Sequence, residues 1–356
     1  MPFKRNDGPI PRLASIDTAS PRHTLEQEDV ARRAIAMFAP GPAGFARLSP
    51  IYRNAEIETR QSCVPIDWYE QAHSFPERND LFLENATELL AEATEKALQR
   101  AKLKPEDIDC IVTVCSTGVA TPALDARLME KVAFKRTVQR LPIFGLGCAG
   151  GVLGLARAAA MAKAEPESRV LLVVVELCAL TFRHADRTKS NLIATALFGD
   201  GAAAAVISCR DEYADAPALG PFGEHTWPDS LDVMGWDVAE DGLKVVFSRD
   251  IPTLVRDDLR PIVDSFLERE GAAQSELAGY ITHPGGAKVL DALEECFGLA
   301  PRSLEDARAV LREHGNMSSV TVLFILRRML DKGLKGPHLM TSLGPGFTAA
   351  LGVIGA

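Results

Sequence analysis

Hydrophobic and polar positions along the chain follow two rhythms. In "ENATELLAEATEKALQRAKL", residues 84–103, Leu90, Ala93 and Ala97 continue a helical spacing begun by Leu83 and Ala86, with charges on the other face, which predicts an amphipathic helix. "KPEDID" ends it, and "CIVTVCSTG" and "TVQRLPIFGLG" follow as strands. "AGGVLGLARAAAMAKA" is apolar nearly all round, the pattern of a helix buried on every side. The most apolar run, "RVLLVVVELCALTF", falls short of the roughly 20 residues that cross a bilayer and predicts a buried strand.

The second half alternates in the same way. "AGYITHPGGAKVLDALEECFGL" predicts strand, turn and helix; "SLEDARAVLREHGNMSSVTVLFILRRMLDKG" predicts two helices broken at Gly315; "HLMTSLGPGFTAALGVIGA" predicts a terminal hairpin. Strands separated by helices imply an α/β fold. A faint internal repeat pairs "LFGDGAAAAVIS" with "LGPGFTAALGVIG", and "GCAGGVLGLARA" with "GNMSSVTVLFIL". If the halves are duplicates, Cys148 and Asn316 hold equivalent helix-start positions, and a pseudo-twofold axis brings both towards one centre.

Composition narrows the function classes. With 356 residues, 47% of them hydrophobic and 24% charged, the chain can bury a large core. A net charge of -9 opposes general affinity for phosphate backbones, so nucleic acid is not an expected partner. The start, "MPFKRNDGPIPRLASIDTAS", lacks an apolar core ahead of a small-residue cleavage site, and a cytoplasmic protein with no integral membrane segment is expected. The seven cysteines are scattered without a CxxC pair or a Cys/His cluster, so thiols rather than a metal site are expected.

Three positions carry candidate chemistry. Cys148, in "FGLGCAGG", precedes the buried helix, where free N–H groups and the helix dipole favour thiolate; the glycines at 145, 147, 150 and 151 allow a sharp turn and the approach of a substrate. Alone, such a cysteine reads first as a small packing residue, and only its partners change that reading. His283, in "ITHPGG", follows a strand and is barred from helix by Pro284. Asn316, in "HGNMSS", suits a helix cap, but its amide can also donate to a developing oxyanion. Together the three suit acyl transfer to sulfur followed by stabilisation of an enolate.

"GCAGGVLGLARAAAMA", "ALFGDGAAA", "HPGGAKVLDALEECFGL", "GNMSSVTVLFIL" and "GPGFTAALGVI" resemble the segments of type III polyketide synthases, the chalcone-synthase-like enzymes, in the same order from about residue 45 onwards. The resemblance implies a thiolase fold of two duplicated αβαβα halves, divided here at 1–212 and 213–356, assembled as a homodimer. It implies Cys148 as nucleophile with His283 and Asn316 as partners, acyl-CoA and malonyl-CoA as substrates, and no metal or redox cofactor. Phe198 matches an aromatic gatekeeper. Val245 stands where a second gatekeeping Phe is usual, and Thr121 where a Met commonly crosses the dimer interface. Thr117 and Cys178 match small residues beside the acyl tunnel of bacterial members that take long-chain starters. Arg47 and Arg60 lie in the region expected to meet coenzyme A phosphates, although each also reads as a solvated arginine. "IYRNAEIETRQSCVPIDWYE" resembles bacterial alkylresorcinol and alkylpyrone synthases, so a medium or long fatty acyl starter is expected. The alternatives are an initiating ketoacyl-carrier-protein synthase, which shares the Cys/His/Asn set, a Cys/His/Asn hydrolase, and a non-catalytic thiolase-fold scaffold.

Overall fold

Two sheets built on one plan hold the candidate residues. The computed structural model describes residues 8–248 and 250–355; the first residues of the stretch read for a secretory signal lie outside them. The chain opens with strands β1 (Arg12–Ala19) and β2 (His23–Glu26), helices α1 (Gln27–Phe38) and α2 (Pro42–Arg53), and strand β3 (Thr59–Ser62). Helix α3 (Phe75–Ala101) begins at a capping box between Ser74 and Glu77 and stops at Lys102 in the left-handed region. Ala86, Leu90, Ala93 and Ala97 lie on its buried face, and Leu83 is half-buried.

There follow β4 (Cys110–Cys115), the short α4 (Leu124–Leu128), β5 (Gln139–Phe144), α5 (Gly150–Ala164), β6 (Arg169–Leu177), α6 (Lys189–Leu197) and β7 (Asp200–Ser208). The remaining chain forms β8 (Leu219–Thr226), a hairpin of β9 (Met234–Ala239) and β10 (Gly242–Phe247), then α7 (Ile251–Arg269) and β11 (Gly279–Thr282). Helices α8 (Ala287–Phe297), α9 (Glu305–His314) and α10 (Thr321–Asp331) precede the closing pair β12 (His338–Gly344) and β13 (Thr348–Ile354).

The first sheet has the order β1-β7-β6-β4-β5, with antiparallel contacts from β1 to β6 and parallel ones from β6 to β5. The second repeats this as β8-β13-β12-β11, antiparallel from β8 to β12 and parallel at β11, without a counterpart of β5. Strands β7 and β13 therefore hold the same place, which accounts for the sequence repeat between them.

Strand alternation sorts the buried residues into two cores. Val112, Val114, Leu172, Val174, Ala203 and Ala205 share a cluster with α5 and α10, whereas Ile111, Leu171, Val173, Ala202 and Ala204 share one with α3. A strand buried on both faces reads as a near-continuous apolar run, as β4 and β6 do. Helix α5 lies between the sheets, against β4 and β6 on one side and β8, β12 and β13 on the other. Helix α7 covers the far side of the second sheet, where Phe266 sits within 2.7 Å of the place a Gly223 side chain would take. Among the described residues, no helix is long and apolar enough to cross a membrane.

Candidate active site

Cys148 lies in a one-turn 3-10 helix, Gly147–Ala149, at the head of α5. Gly147 adopts φ +47°, a left-handed turn that costs glycine little, and its N–H donates to Ser116 Oγ at 3.0 Å. Gly151 does different work. A side chain there would stand 2.3 Å from the Ser319 carbonyl oxygen, so its absence brings α5 against the turn that opens α10. Helix α5 starts at Gly150 and α10 at Thr321, so Cys148 is closer to its helix than Asn316 is to its own. The two are near-equivalent, one turn out of step.

Asn316 is fixed through its backbone and its side chain. Its N–H donates to the Leu197 carbonyl at 2.7 Å, and its carbonyl accepts the Gly199 N–H at 3.0 Å, which pairs it with the intervening Phe198. Its Oδ1 accepts the Ser318 N–H at 2.8 Å, orienting the amide, and Nδ2 donates to the Gly285 carbonyl at 3.3 Å. His283 directly follows β11, and its N–H donates to the Thr341 carbonyl at 2.8 Å. Both its ring nitrogens are buried and, among the described residues, without a hydrogen-bond partner. Cys148, His283 and Asn316 line one cavity of about 930 Å³, together with Leu197, Phe247 and Ser342.

Burial keeps this site neutral at rest. It pushes the Cys148 thiol up to about 12, against the lowering effect of its bond to Ser318 Oγ at 3.6 Å, and the nearby Glu176 pushes it further up. The expected thiolate at the helix start is thus overridden by desolvation. Burial also lowers His283 to about 3, so the imidazole is uncharged.

Sequence reasoning missed Glu176, although a single acid inside "VLLVVVELCAL" is the signal that could have found it. It is fully buried, and accepts the Ser116 N–H at 3.0 Å, the Thr117 hydroxyl at 2.8 Å and the Ser319 hydroxyl at 2.6 Å. Desolvation pushes it up to about 7, as it does Asp200, whose carboxylate accepts the Cys63 and Ala179 N–H groups. A carboxyl raised in this way holds its proton more tightly in the folded chain, so its stabilising effect is complete below the unfolded value of 4.5 for Glu176 and fades as pH rises through about 7. His283 has the opposite sign: its effect is complete above 6.5 and fades as pH falls towards about 3. Glu176→Gln is therefore expected to lose about 2 kcal/mol less stability than the parent between pH 5 and pH 8. Denaturant melts at the two pH values check this, and parallel losses would contradict it.

Several other expected residues lie elsewhere than anticipated. Phe198 and Cys178 line a second, apolar pocket of about 80 Å³ with Ala194 and Tyr69, whereas the Cys148 cavity is lined by the neighbouring Leu197. Thr117 is not in that pocket; its hydroxyl is taken up by Glu176 and by the Leu177 N–H. Val245 packs with Phe198, Cys178 and Ala194, but aromatic bulk is restored beside it: Phe247 and Trp236 lie 5.6 and 6.1 Å from the Phe198 ring. The reduced bulk expected from position 245 is thus offset by its neighbours. Thr121 is exposed and does not line either pocket. Arg47 lies at the cavity with three other exposed cations, Arg187, Lys189 and Lys288. Arg60 corrects the expectation made for it: it is 2% exposed and donates to the carbonyls of Thr195, Ala196 and Phe198, so it pins the end of α6 and does not meet a phosphate.

Sequence comparison decides the family. The model described as chalcone and stilbene synthases, N-terminal domain, matches residues 63–211, and that for the C-terminal domain matches residues 223–354. The chain belongs to this family and is a type III polyketide synthase, an acyltransferase-type enzyme. It is 40% identical over 355 residues to a protein of Bacillus subtilis (strain 168) with a provisional chalcone synthase name, covering 95% of this chain and 97% of that one. It is 35% identical to 1,3,6,8-tetrahydroxynaphthalene synthase of Streptomyces peucetius subsp. caesius, over 95% of this chain and 91% of the other. The crystal structure of 1,3,6,8-tetrahydroxynaphthalene synthase from Streptomyces coelicolor A3(2), a bacterial type III polyketide synthase, superposes with a TM-score of 0.90 at 29% identity, covering 96% of this chain and 98% of that one. The architecture of this synthase is the thiolase fold.

Proposed function

We propose that the synthase loads a medium or long fatty acyl group from coenzyme A onto Cys148, extends it two or three times with malonyl-CoA, and cyclises the chain to an alkylresorcinol or alkylpyrone. The carrying observation is the single cavity that receives sulfur from the first half and imidazole and carboxamide from the second. In the first step the Cys148 sulfur attacks the acyl thioester carbon, its proton passes to the neutral His283, and coenzyme A leaves as the thiol once reprotonated. Malonyl-CoA then enters. Uncharged His283 and the Asn316 amide can donate to its thioester oxygen while offering the malonyl carboxylate no counter-charge, which favours loss of carbon dioxide. The resulting enolate carbon attacks the acyl-cysteine, and the Cys148 sulfur departs.

Arg47, Arg187, Lys189 and Lys288 gather at the cavity of a chain with net charge -9, and such a local excess of cations fits the phosphates of a coenzyme A carrier. The apolar pocket beside Phe198, at about 80 Å³, has room for the terminal few methylenes of an acyl tail, with the rest of the chain in the larger Cys148 cavity. Each buried methylene contributes about 0.8 kcal/mol, so such a pocket selects strongly for chain length. Incubation with malonyl-CoA and a graded acyl-CoA series, read by product mass, tests the reading. Turnover of starters with 12 to 18 carbons to products two or three ketide units longer supports it. Turnover of short or aromatic starters while that series is inert overturns it. A compact polyhydroxylated product from malonyl-CoA alone would favour the activity for which the Streptomyces relatives are named.

A homodimer belongs to the same proposal. Edge strand β5 ends on Phe144 at 59% exposure, and the loop after its partner strand β4 carries Val119 at 48%, large apolar side chains that a second copy would cover. Phe144→Glu is expected to shift the protein from dimer to monomer in sedimentation velocity; an unchanged dimer would place the interface elsewhere.

A further inference from the structure

The apolar pocket beside Phe198 has an inner and an outer end. Its inner wall is fully buried: Cys178 is 1% and Phe198 7% exposed. Among the described residues, its only charged lining residues besides the buried Arg60 are Arg33 and Glu70, whose side chains are 24% and 51% exposed and therefore mark the solvent end. The two are joined by an ion pair from Arg33 Nη1 to Glu70 Oε1, and the same nitrogen lies 2.7 Å from Asp67 Oδ1. Arg33 stands on α1, whereas Asp67 and Glu70 stand on the short turn Ile66–Glu70, so the contact spans the pocket mouth from one wall to the other. That turn is itself held: Trp68 stacks on His73 with ring centroids 3.8 Å apart, and the Glu70 carbonyl lies 3.1 Å from His184 Nε2.

We propose that the Arg33–Glu70 pair is the outer stop of the acyl-tail pocket and sets the upper limit of starter length, an inference that rests on reading this pocket as the tail site. A tail end that fits inside meets mostly apolar side chains, among them Leu25, Val30, Met37 and Phe182, and the buried Arg60 is already taken up by backbone carbonyls. One methylene more must push between two paired charges or displace them, and it finds no further apolar cover. An exposed ion pair contributes little to stability, so the pair can be removed without losing the fold. Once it is gone, each added methylene that gains apolar contact is expected to improve use of the starter about fourfold.

The test measures kcat/KM over saturated acyl-CoAs of 6 to 20 carbons for the parent, Arg33→Ala, Glu70→Ala and the charge-swapped Arg33→Glu/Glu70→Arg pair. Thermal melts confirm that each variant is folded, with Arg33→Met and Glu70→Gln as replacements for any that is not. In the parent, kcat/KM is expected to rise with length and then fall abruptly. In Arg33→Ala the fall moves outwards by at least two carbons, and the ratio between the first rejected and the last accepted starter rises at least tenfold; Glu70→Ala, which leaves Arg33 paired with Asp67, moves it less, and the swapped pair returns it towards the parent value. Cys178→Phe, which fills the inner end, separates the two layers of the argument. If it depresses long starters selectively while the single variants leave the fall in place, the stop is overturned and the tail pocket stands. If it affects all starters alike, the tail-pocket reading fails, and the stop with it.

Discussion

Cys148→Ala is expected to lower ketide formation by at least about 10⁴-fold while leaving malonyl-CoA decarboxylation measurable. The division follows from where the groups sit. Sulfur is the only group in the cavity proposed to hold the growing chain, so without it neither loading nor condensation can proceed. The groups assigned to the enolate, His283 and Asn316, come from the other half, and Asn316 is oriented by Ser318 and Gly285, neither of which needs the thiol. Product analysis with labelled malonyl-CoA reads both outcomes at once: carbon dioxide released, no ketide formed. Loss of both activities together would show that decarboxylation depends on the acyl-enzyme and that the two halves do not divide the labour in this way.

Asn316→Ala is expected to give the converse pattern. Removing one oxyanion donor costs about 3 kcal/mol, or roughly 10² to 10³ in decarboxylation rate, whereas acyl loading of Cys148 should persist. The alanine also releases the Ser318 N–H, and Ser318 Oγ contacts the Cys148 thiol, so a local disturbance of the turn could mimic this result. Asn316→Asp separates the two. It keeps an oxygen for the Ser318 N–H but has no amide donor, and its charge opposes an enolate. A decarboxylation defect in Asp at least as deep as in Ala identifies the lost donor; near-normal decarboxylation in Asp would assign Asn316 to the turn alone.

Much of this arrangement was legible because it was local. Strands β4 and β6 read as apolar runs interrupted by Thr113 in one and Glu176 in the other, and α3 as a regular stripe. Pro284 kept His283 out of a helix, and the repeat between β7 and β13 pointed to two like sheets. What escaped was set by partners far along the chain. Strand β1 joins the first sheet only by pairing with β7, and a register shift between Leu13 and Ser15 interrupts its alternation. Glu176 gathers hydrogen bonds from Ser116, Thr117 and Ser319, which no spacing rule connects. The protonation of Cys148 depends on distant partners in the same way. A helix start is visible in sequence, but the depth of burial that outweighs its dipole appears only when both halves close over the sulfur. Arg60 likewise reads as a solvent-facing cation until α6 folds its carbonyl end onto it.

The most direct test of the central claim is the intact mass of the protein after incubation with dodecanoyl-CoA in the absence of malonyl-CoA, followed by peptide mapping. The account predicts one dodecanoyl group per chain, on Cys148, retained in Asn316→Ala and absent in Cys148→Ala. An acyl group on another cysteine, or ketide products from a chain that never carries acyl at Cys148, would contradict it.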